Sequence, residues 1–172
     1  MGEDLQIRTA RPGDAEAIGS IFATYVNSSV ATFELTAPTS ADWAAKVQAI
    51  TEAGWPFLVG QIAGEVVGFA YVSPWRAKPA YRHTVEDTVY LATDYVGRGL
   101  GSALLGALLE SADAAGARQV IAVIADSGDP ASRLAHQRLG FAEVGRLSCV
   151  GFKHDRWIDI VLMQRELGQT SR

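Results

Sequence analysis

Thr84-Val85-Glu86-Asp87-Thr88-Val89-Tyr90-Leu91-Ala92 is followed by Val96-Gly97-Arg98-Gly99-Leu100-Gly101-Ser102. The first segment, rich in Val, Thr and Tyr, reads as a strand. Arg98 to Ala115 reads as a helix, because Leu100, Leu104, Leu105, Leu108, Leu109 and Ala112 form one apolar stripe. Three of the 17 glycines fall on the turn between them, at Gly97, Gly99 and Gly101. Such a turn lets backbone amides approach a ligand without Cβ obstruction. Those amides join the free N–H groups and the dipole of the helix N-terminus, which favour an anion. The expected chemistry is a pyrophosphate cradle, with Arg98 adding a charge-assisted contact.

Strands and helices alternate on both sides of this unit. Leu5 to Arg11 alternates as a strand should, and Pro12-Gly13-Asp14 opens a helix with Asp14 as its cap. Asn27 to Pro38 has no period and reads as a loop. Thr39 to Asp42 is a capping box with Asp at its end, starting a helix that runs to about Gly54. Phe57 to Gln61 and Glu65 to Ser73 form a hairpin around Ala63-Gly64. Val120 to Ala125 is a continuous apolar run, the pattern of a strand buried on both faces. Pro130 starts a short helix that ends at Gly140. Strands are expected at Phe141 to Val150 and Trp157 to Gln164. The expectation is one mixed α/β domain over residues 1–172, with its core at about 5–167.

Composition narrows the function. The chain has 172 residues, 48% hydrophobic and 20% charged, which suits one globular domain rather than disorder. Its net charge is −4 with no basic block, which argues against a nucleic-acid partner. No apolar run approaches the ~18 residues of a membrane span. Met1-Gly2-Glu3-Asp4 lacks the basic and apolar regions of a signal peptide. Cys149 is the single cysteine, which points to a reducing, cytoplasmic compartment. The three histidines show no metal-ligand spacing, so no metal is expected.

Several phosphate-binding loops compete for the glycine turn. A P-loop needs Lys after its last glycine, and none follows Gly101. A dinucleotide fold needs Gly-x-Gly-x-x-Gly, one residue longer than the spacing here. A tight turn with close helix–strand packing is the bland alternative. Val96 to Gly101 resembles the acyl-CoA loop of GNAT N-acetyltransferases, with Val96 where that family has Gln or Arg. The whole of Thr84 to Gly101 resembles phosphinothricin N-acetyltransferases. These are close to the L-amino-acid and methionine sulfoximine/sulfone acetyltransferases. Thr32-Phe33-Glu34, Trp75 to Arg82, Ala122-Val123-Ile124, His136 to Phe141 and Gly151 to Trp157 agree with that resemblance, in the right order.

The resemblance implies a GNAT fold, a twisted mixed sheet flanked by helices whose two middle strands splay apart. Here those strands are Thr84 to Ala92 and Val120 to Ala125. It implies acetyl-CoA as co-substrate, held by Val89, Tyr90 and Leu91 and by Gly97, Arg98, Gly99, Leu100, Gly101 and Ser102. Asp129 stands where the family often has a cofactor-contacting Asn. The pantetheine arm would satisfy the unpaired backbone of the splayed strands.

Acetyl transfer to an amine needs a base, an oxyanion donor and a proton for the leaving thiolate. Glu86 is the expected base, its proton affinity raised by a desolvating strand environment. The Leu91 N–H is the candidate oxyanion donor. His136 is the candidate proton relay, with Ala135 in place of the family's Leu before it. Tyr90 is the candidate thiolate donor. Arg76, Lys78 and Arg82 put three cations within seven residues, suited to the carboxylate and phosphinate of an anionic amino acid. The resemblance adds Tyr81 and Phe33 to the substrate site. It also implies a homodimer built on the C-terminal strands, with Trp157 packed among them and Gly151-Phe152-Lys153 reaching the partner's active site. A non-catalytic acyl-CoA-binding sensor on the same fold is the alternative.

Overall fold

A computed structural model describes residues 4–168. Residues 1–3, part of the N-terminal leader reading, and 169–172 lie outside the described residues. Seven strands form one sheet: β1 (Gln6–Thr9), β2 (Phe57–Ile62), β3 (Glu65–Pro74), β4 (Thr84–Leu91), β5 (Gln119–Ala125), β6 (Ala142–Lys153) and β7 (Arg156–Glu166). Four helices flank it: α1 (Ala15–Ser28), α2 (Ser40–Glu52), α3 (Leu100–Ala114) and α4 (Ala131–Arg138). The strand order is β1-β2-β3-β4-β5-β7-β6, antiparallel everywhere except between β4 and β5. This is the mixed α/β GNAT fold.

Local chemistry accounts for the ends of these elements. Thr39 and Asp42 form the reciprocal box: the Thr39 N–H donates to Asp42 at 2.8 Å and the Asp42 N–H donates to Thr39 Oγ1 at 3.2 Å. Ala63 (φ 50°) and Gly64 (φ 84°) give the left-handed pair that a two-residue hairpin needs. Asp14 does not cap α1 with its side chain. Arg8 donates two hydrogen bonds to its carboxylate, both 2.8 Å, and the Arg11 N–H donates a third. A charge-assisted fork outcompetes a neutral cap for the same oxygens.

The two faces of the sheet carry separate cores. On one, α1 and α2 cover an aromatic set in which Phe22, Trp43, Phe57 and Phe69 meet at 5.2 to 6.5 Å. On the other, α3 seats Leu104, Leu105 and Leu108 against Val72, Val85 and Val161. β4 contributes to both through its period of two. Val85, Val89 and Leu91 join the α3 face, and Tyr90 joins the α1 face.

β4 and β5 pair at only three positions, Thr84 with Gln119, Val85 with Val120 and Glu86 with Ile121. β4 then stays on β3 as far as Leu91, while β5 stays on β7 as far as Ala125. The parallel pair therefore opens into a fork immediately after Glu86, and β4 and β5 are the splayed strands.

Candidate active site

Backbone alternation decides what the fork presents. The Trp75 N–H donates to Thr84 O at 3.1 Å, and the Ala92 N–H donates to Val67 O at 2.8 Å. In an antiparallel ladder these groups alternate sides. Glu86, Thr88 and Tyr90 thus turn their backbone groups to β3. Asp87, Val89 and Leu91 turn theirs toward β5, beyond the last β5 pair. The Leu91 carbonyl accepts the Tyr25 hydroxyl at 2.6 Å, and burial raises the pKa of that hydroxyl against the opposing effect of the bond. The Leu91 N–H points the same way as that carbonyl, into the fork.

The glycine turn closes the open end. Gly97 (φ 82°) and Gly99 (φ 79°) are left-handed, and Gly99 is the cap residue of α3. A Cβ at either would meet no atom within 4 Å, so it is the backbone conformation that requires glycine here. A Cβ at Gly101 would lie 3.5 Å from Leu91 Cδ1, which puts the first turn of α3 against the end of β4. The first intrahelical bond is Ala103 N–H to Gly99 O at 3.2 Å, so the amides before it face outward from the helix end. Arg98 lies over the Tyr95 ring at 5.0 Å. Leu100 and Ser102 are half-buried on the first turn. An open fork, two left-handed glycines and a helix N-terminus fit a pyrophosphate with an extended arm.

Glu86 is half-buried at the mouth of the fork. Burial raises its pKa above 4.5 and the Asp87 charge raises it further, while Arg76 opposes both. Arg76 stacks on Trp75 at 4.9 Å. Of the cation cluster, only Arg76 acts on Glu86. Lys78, Tyr81 and Arg82 lie exposed on the 3₁₀ turn between β3 and β4, where Arg82 donates to Pro79 O at 3.4 Å.

The loop after α1 is held down at three points on the Glu86 face. Tyr90 donates its hydroxyl proton to Ala31 O at 3.2 Å. Lys153, 4% exposed, donates to Thr32 O at 2.9 Å. The Phe33 ring packs against Gly151 so closely that an added Cβ there would collide with it. Tyr90 thus anchors the loop through its hydroxyl, and burial raises its pKa. Lys153 ties the same loop to the end of β6.

His136 lies on the opposite face of β4 from Glu86. Its Nε2 is 2.9 Å from Asp87 Oδ2 and its Nδ1 is 2.7 Å from Ser132 O. Both ring nitrogens are thus engaged within the chain. The sequence reading missed Asp87. The only signal was its neighbour Glu86, since its partner lies 49 residues away. Asp129 is exposed, and its carboxylate accepts the Ala131 N–H at 2.9 Å. His83 faces Gly116 O at 3.2 Å, and His154 shares the left-handed β6–β7 turn with Asp155. Trp157 is 66% exposed and meets Phe152 at 5.0 Å. It packs on the C-terminal strands as the register partner of Phe152, with its outer face exposed at the sheet edge. Among the described residues no cluster of His, Cys, Asp or Glu has the arrangement of a metal site.

A forked β4–β5 pair with a glycine cradle at its open end defines an acyltransferase of the GNAT class. Residues 22–141 match the model of the acetyltransferase (GNAT) family, and the chain belongs to that family. It is 42% identical over 161 residues to a phosphinothricin N-acetyltransferase of Alcaligenes faecalis, covering 94% of this chain and 82% of that one. An L-methionine sulfoximine/L-methionine sulfone acetyltransferase of Pseudomonas paraeruginosa is 39% identical, with 95% of both chains covered. The crystal structure of a GNAT superfamily phosphinothricin acetyltransferase from Sinorhizobium meliloti in complex with acetyl-CoA superposes with a TM-score of 0.92. That match has 40% identity and covers 97% of this chain and 90% of the other.

Proposed function

We propose that this protein is an acetyl-CoA-dependent N-acetyltransferase. It acetylates the α-amino group of phosphinothricin or a related amino acid of the methionine sulfoximine/sulfone type, by direct transfer. The observation that carries the reading is the position of Glu86. It is the last β4 residue paired to β5, at the point where the fork opens toward the glycine cradle. The identity to relatives named for these substrates supports the substrate class.

Acetyl-CoA supplies an acetyl group activated as a thioester. Gly97 to Ser102 would hold its pyrophosphate through backbone N–H groups and Arg98. The fork-facing edge of Val89 and Leu91 would hold the arm, with the Asp129 turn beside it. Glu86, in its ionised form, accepts the proton that the amine loses as its bond to the acetyl carbon forms; the carbon–sulfur bond breaks in turn, and the departing thiolate takes up that proton, so the reaction closes as amide plus thiol. The Leu91 N–H donates to the carbonyl oxygen as charge develops there. Arg76 meets the substrate's anionic groups, with Lys78, Tyr81 and Arg82 on the adjoining turn, and Phe33 closes the loop over the site.

A thiol-release assay with acetyl-CoA against phosphinothricin, methionine sulfoximine, methionine sulfone and ordinary amino acids tests this reading. Turnover with the first three is expected. Acetyl-CoA binding without turnover on any amine would instead identify a sensor. Arg76→Ala should raise KM for the amino acid about tenfold, the size of one lost charge-assisted contact. It should leave KM for acetyl-CoA unchanged. Equal losses in both constants would place Arg76 outside the substrate site.

We also propose that the protein works in the cytoplasm as a homodimer through β6. Among the described residues this edge strand exposes Val144, Leu147, Val150 and Phe152, with Trp157 beside them. Such a row on one edge is the kind of surface a partner strand covers. Sedimentation should give a dimer for the native chain and a monomer for Trp157→Asp. A native monomer at micromolar concentration rejects the proposal.

A further inference from the structure

On the α3 side of β4, immediately after the last β4–β5 pair, Asp87 and His136 meet out of solvent. Their side chains are 2% and 8% exposed. Ser132 O is a backbone carbonyl and can only accept, so Nδ1 of His136 must be the donor across their 2.7 Å contact. Across 2.9 Å, Nε2 faces Asp87 Oδ2. With Asp87 as a carboxylate, which also only accepts, Nε2 donates as well; a carboxylic acid donating to an unprotonated Nε2 is the neutral alternative at the same distance. A ring that donates from both nitrogens is an imidazolium. Asp87 Oδ1 makes no hydrogen bond among the described residues, so the carboxylate depends on this one contact. Removing either partner would leave the other buried and unpaired, a costly state.

We infer that Asp87 is a positioning residue. With His136 it forms a buried carboxylate–imidazolium couple that pins α4 to β4 where the fork begins. The functional meaning of that pin rests on reading the fork as the acyl-donor site. Three connections run from the couple. The first turn of α4, which carries Ser132 and follows Asp129, is tied to the couple through the Ser132 carbonyl. The backbone of Asp87 faces the fork directly. Its charge is also one of the two that act on Glu86, the other being Arg76.

The surroundings favour the ionised pair. Burial by itself lowers the proton affinity of His136. The Asp87 hydrogen bond and charge, together with the Ser132 carbonyl, outweigh it and raise the pKa above 6.5. Asp87 is the charged group acting on the ring. The Phe141 ring meets it edge-on at 4.9 Å, and the buried residues that α3 and β5 present on this face are apolar. A histidine whose folded pKa is raised contributes stability fully present below 6.5. That contribution is lost as pH rises through the raised value.

Ring ¹⁵N NMR of the full chain is the decisive measurement, and it needs no substrate. At pH 6.5 both His136 nitrogens should be predominantly protonated, because the folded pKa is raised above that value. In Asp87→Asn the ring should be neutral at that pH. A neutral His136 in the native protein, or a ring indifferent to Asp87→Asn, overturns the inference. In turnover, Asp87→Asn should lower kcat about tenfold, as when the hydrogen-bond partner of a functional histidine is removed. It should also shift the acid limb of the pH profile downward, because a like charge beside Glu86 is gone. An unmoved limb with only a lower melting temperature would mean a purely structural pair and would reject the positioning role. If Asp87→Asn does not fold, native melting temperatures decide. They should fall between pH 6.5 and the raised pKa, and His136→Gln should flatten that part of the curve. If the native enzyme proves inactive on every amine, the proposed activity fails while the ring spectrum still judges the couple.

Discussion

Glu86→Gln should lower kcat by about 10²- to 10⁴-fold, the range of general acid–base catalysis, with KM for acetyl-CoA nearly unchanged. The amide has the same shape and cannot take a proton, so the substitution removes one chemical capacity. Glu86 sits where β4 leaves β5, and the cradle that would hold the co-substrate lies at the far end of β4. Binding and proton transfer are thus carried by different parts of the site. The native enzyme should lose rate as pH falls through the raised pKa of Glu86, because only the ionised carboxylate accepts a proton. That acid limb should vanish in the variant. A carboxyl group with a raised folded pKa contributes most to stability below its unfolded pKa and loses that contribution as pH rises. The variant should therefore melt no lower than the native chain at neutral pH, which separates lost chemistry from lost fold. Steady-state kinetics and a thermal melt together check this. A kcat within twofold of native would remove Glu86 as the base.

Gly99→Val should act in the opposite column. It should raise KM for acetyl-CoA about tenfold or more and leave kcat at saturation largely intact. Gly99 caps α3 at φ 79°, a conformation that costs an L-residue about 1–2 kcal/mol and more when it is β-branched. No neighbouring atom lies within 4 Å of the added Cβ, so steric collision with the core is not the cause. The turn instead relaxes toward negative φ, and the amides of the cradle rotate off their common target. Each 1.4 kcal/mol of lost contact is a factor of ten in affinity. The thermal cost should stay within that backbone strain, because no core contact is lost at an exposed residue. Calorimetric titration with acetyl-CoA and full kinetics would measure it. Unaltered affinity would mean that the turn serves helix packing alone.

Local patterns carried much of this molecule. The apolar stripe from Leu100 to Ala112, the Thr39–Asp42 box and the Ala63-Gly64 turn each depend on neighbours within four residues, and all formed as read. The glycine turn was legible for the same reason: its left-handed residues and the helix start after it are set by local backbone geometry rather than distant side chains. Pairings across the chain were not legible. Asp14 reads as a cap until Arg8 is folded back beside it by β1. The exposure of Trp157 is equally hidden, because only the strand order makes β6 the edge of the sheet.

The sequence by itself determined that a glycine-capped helix follows a strand bearing Glu86, and hence where an anion and a base would lie along the chain. Only the tertiary structure decided how the site is divided. Side chains on a strand alternate faces, so two adjacent acids part company. Glu86 turns to the face shared with Arg76 and the α1 loop, while Asp87 turns to α4 and His136. No local pattern carries that outcome, because it is fixed by which helix covers each face of the sheet.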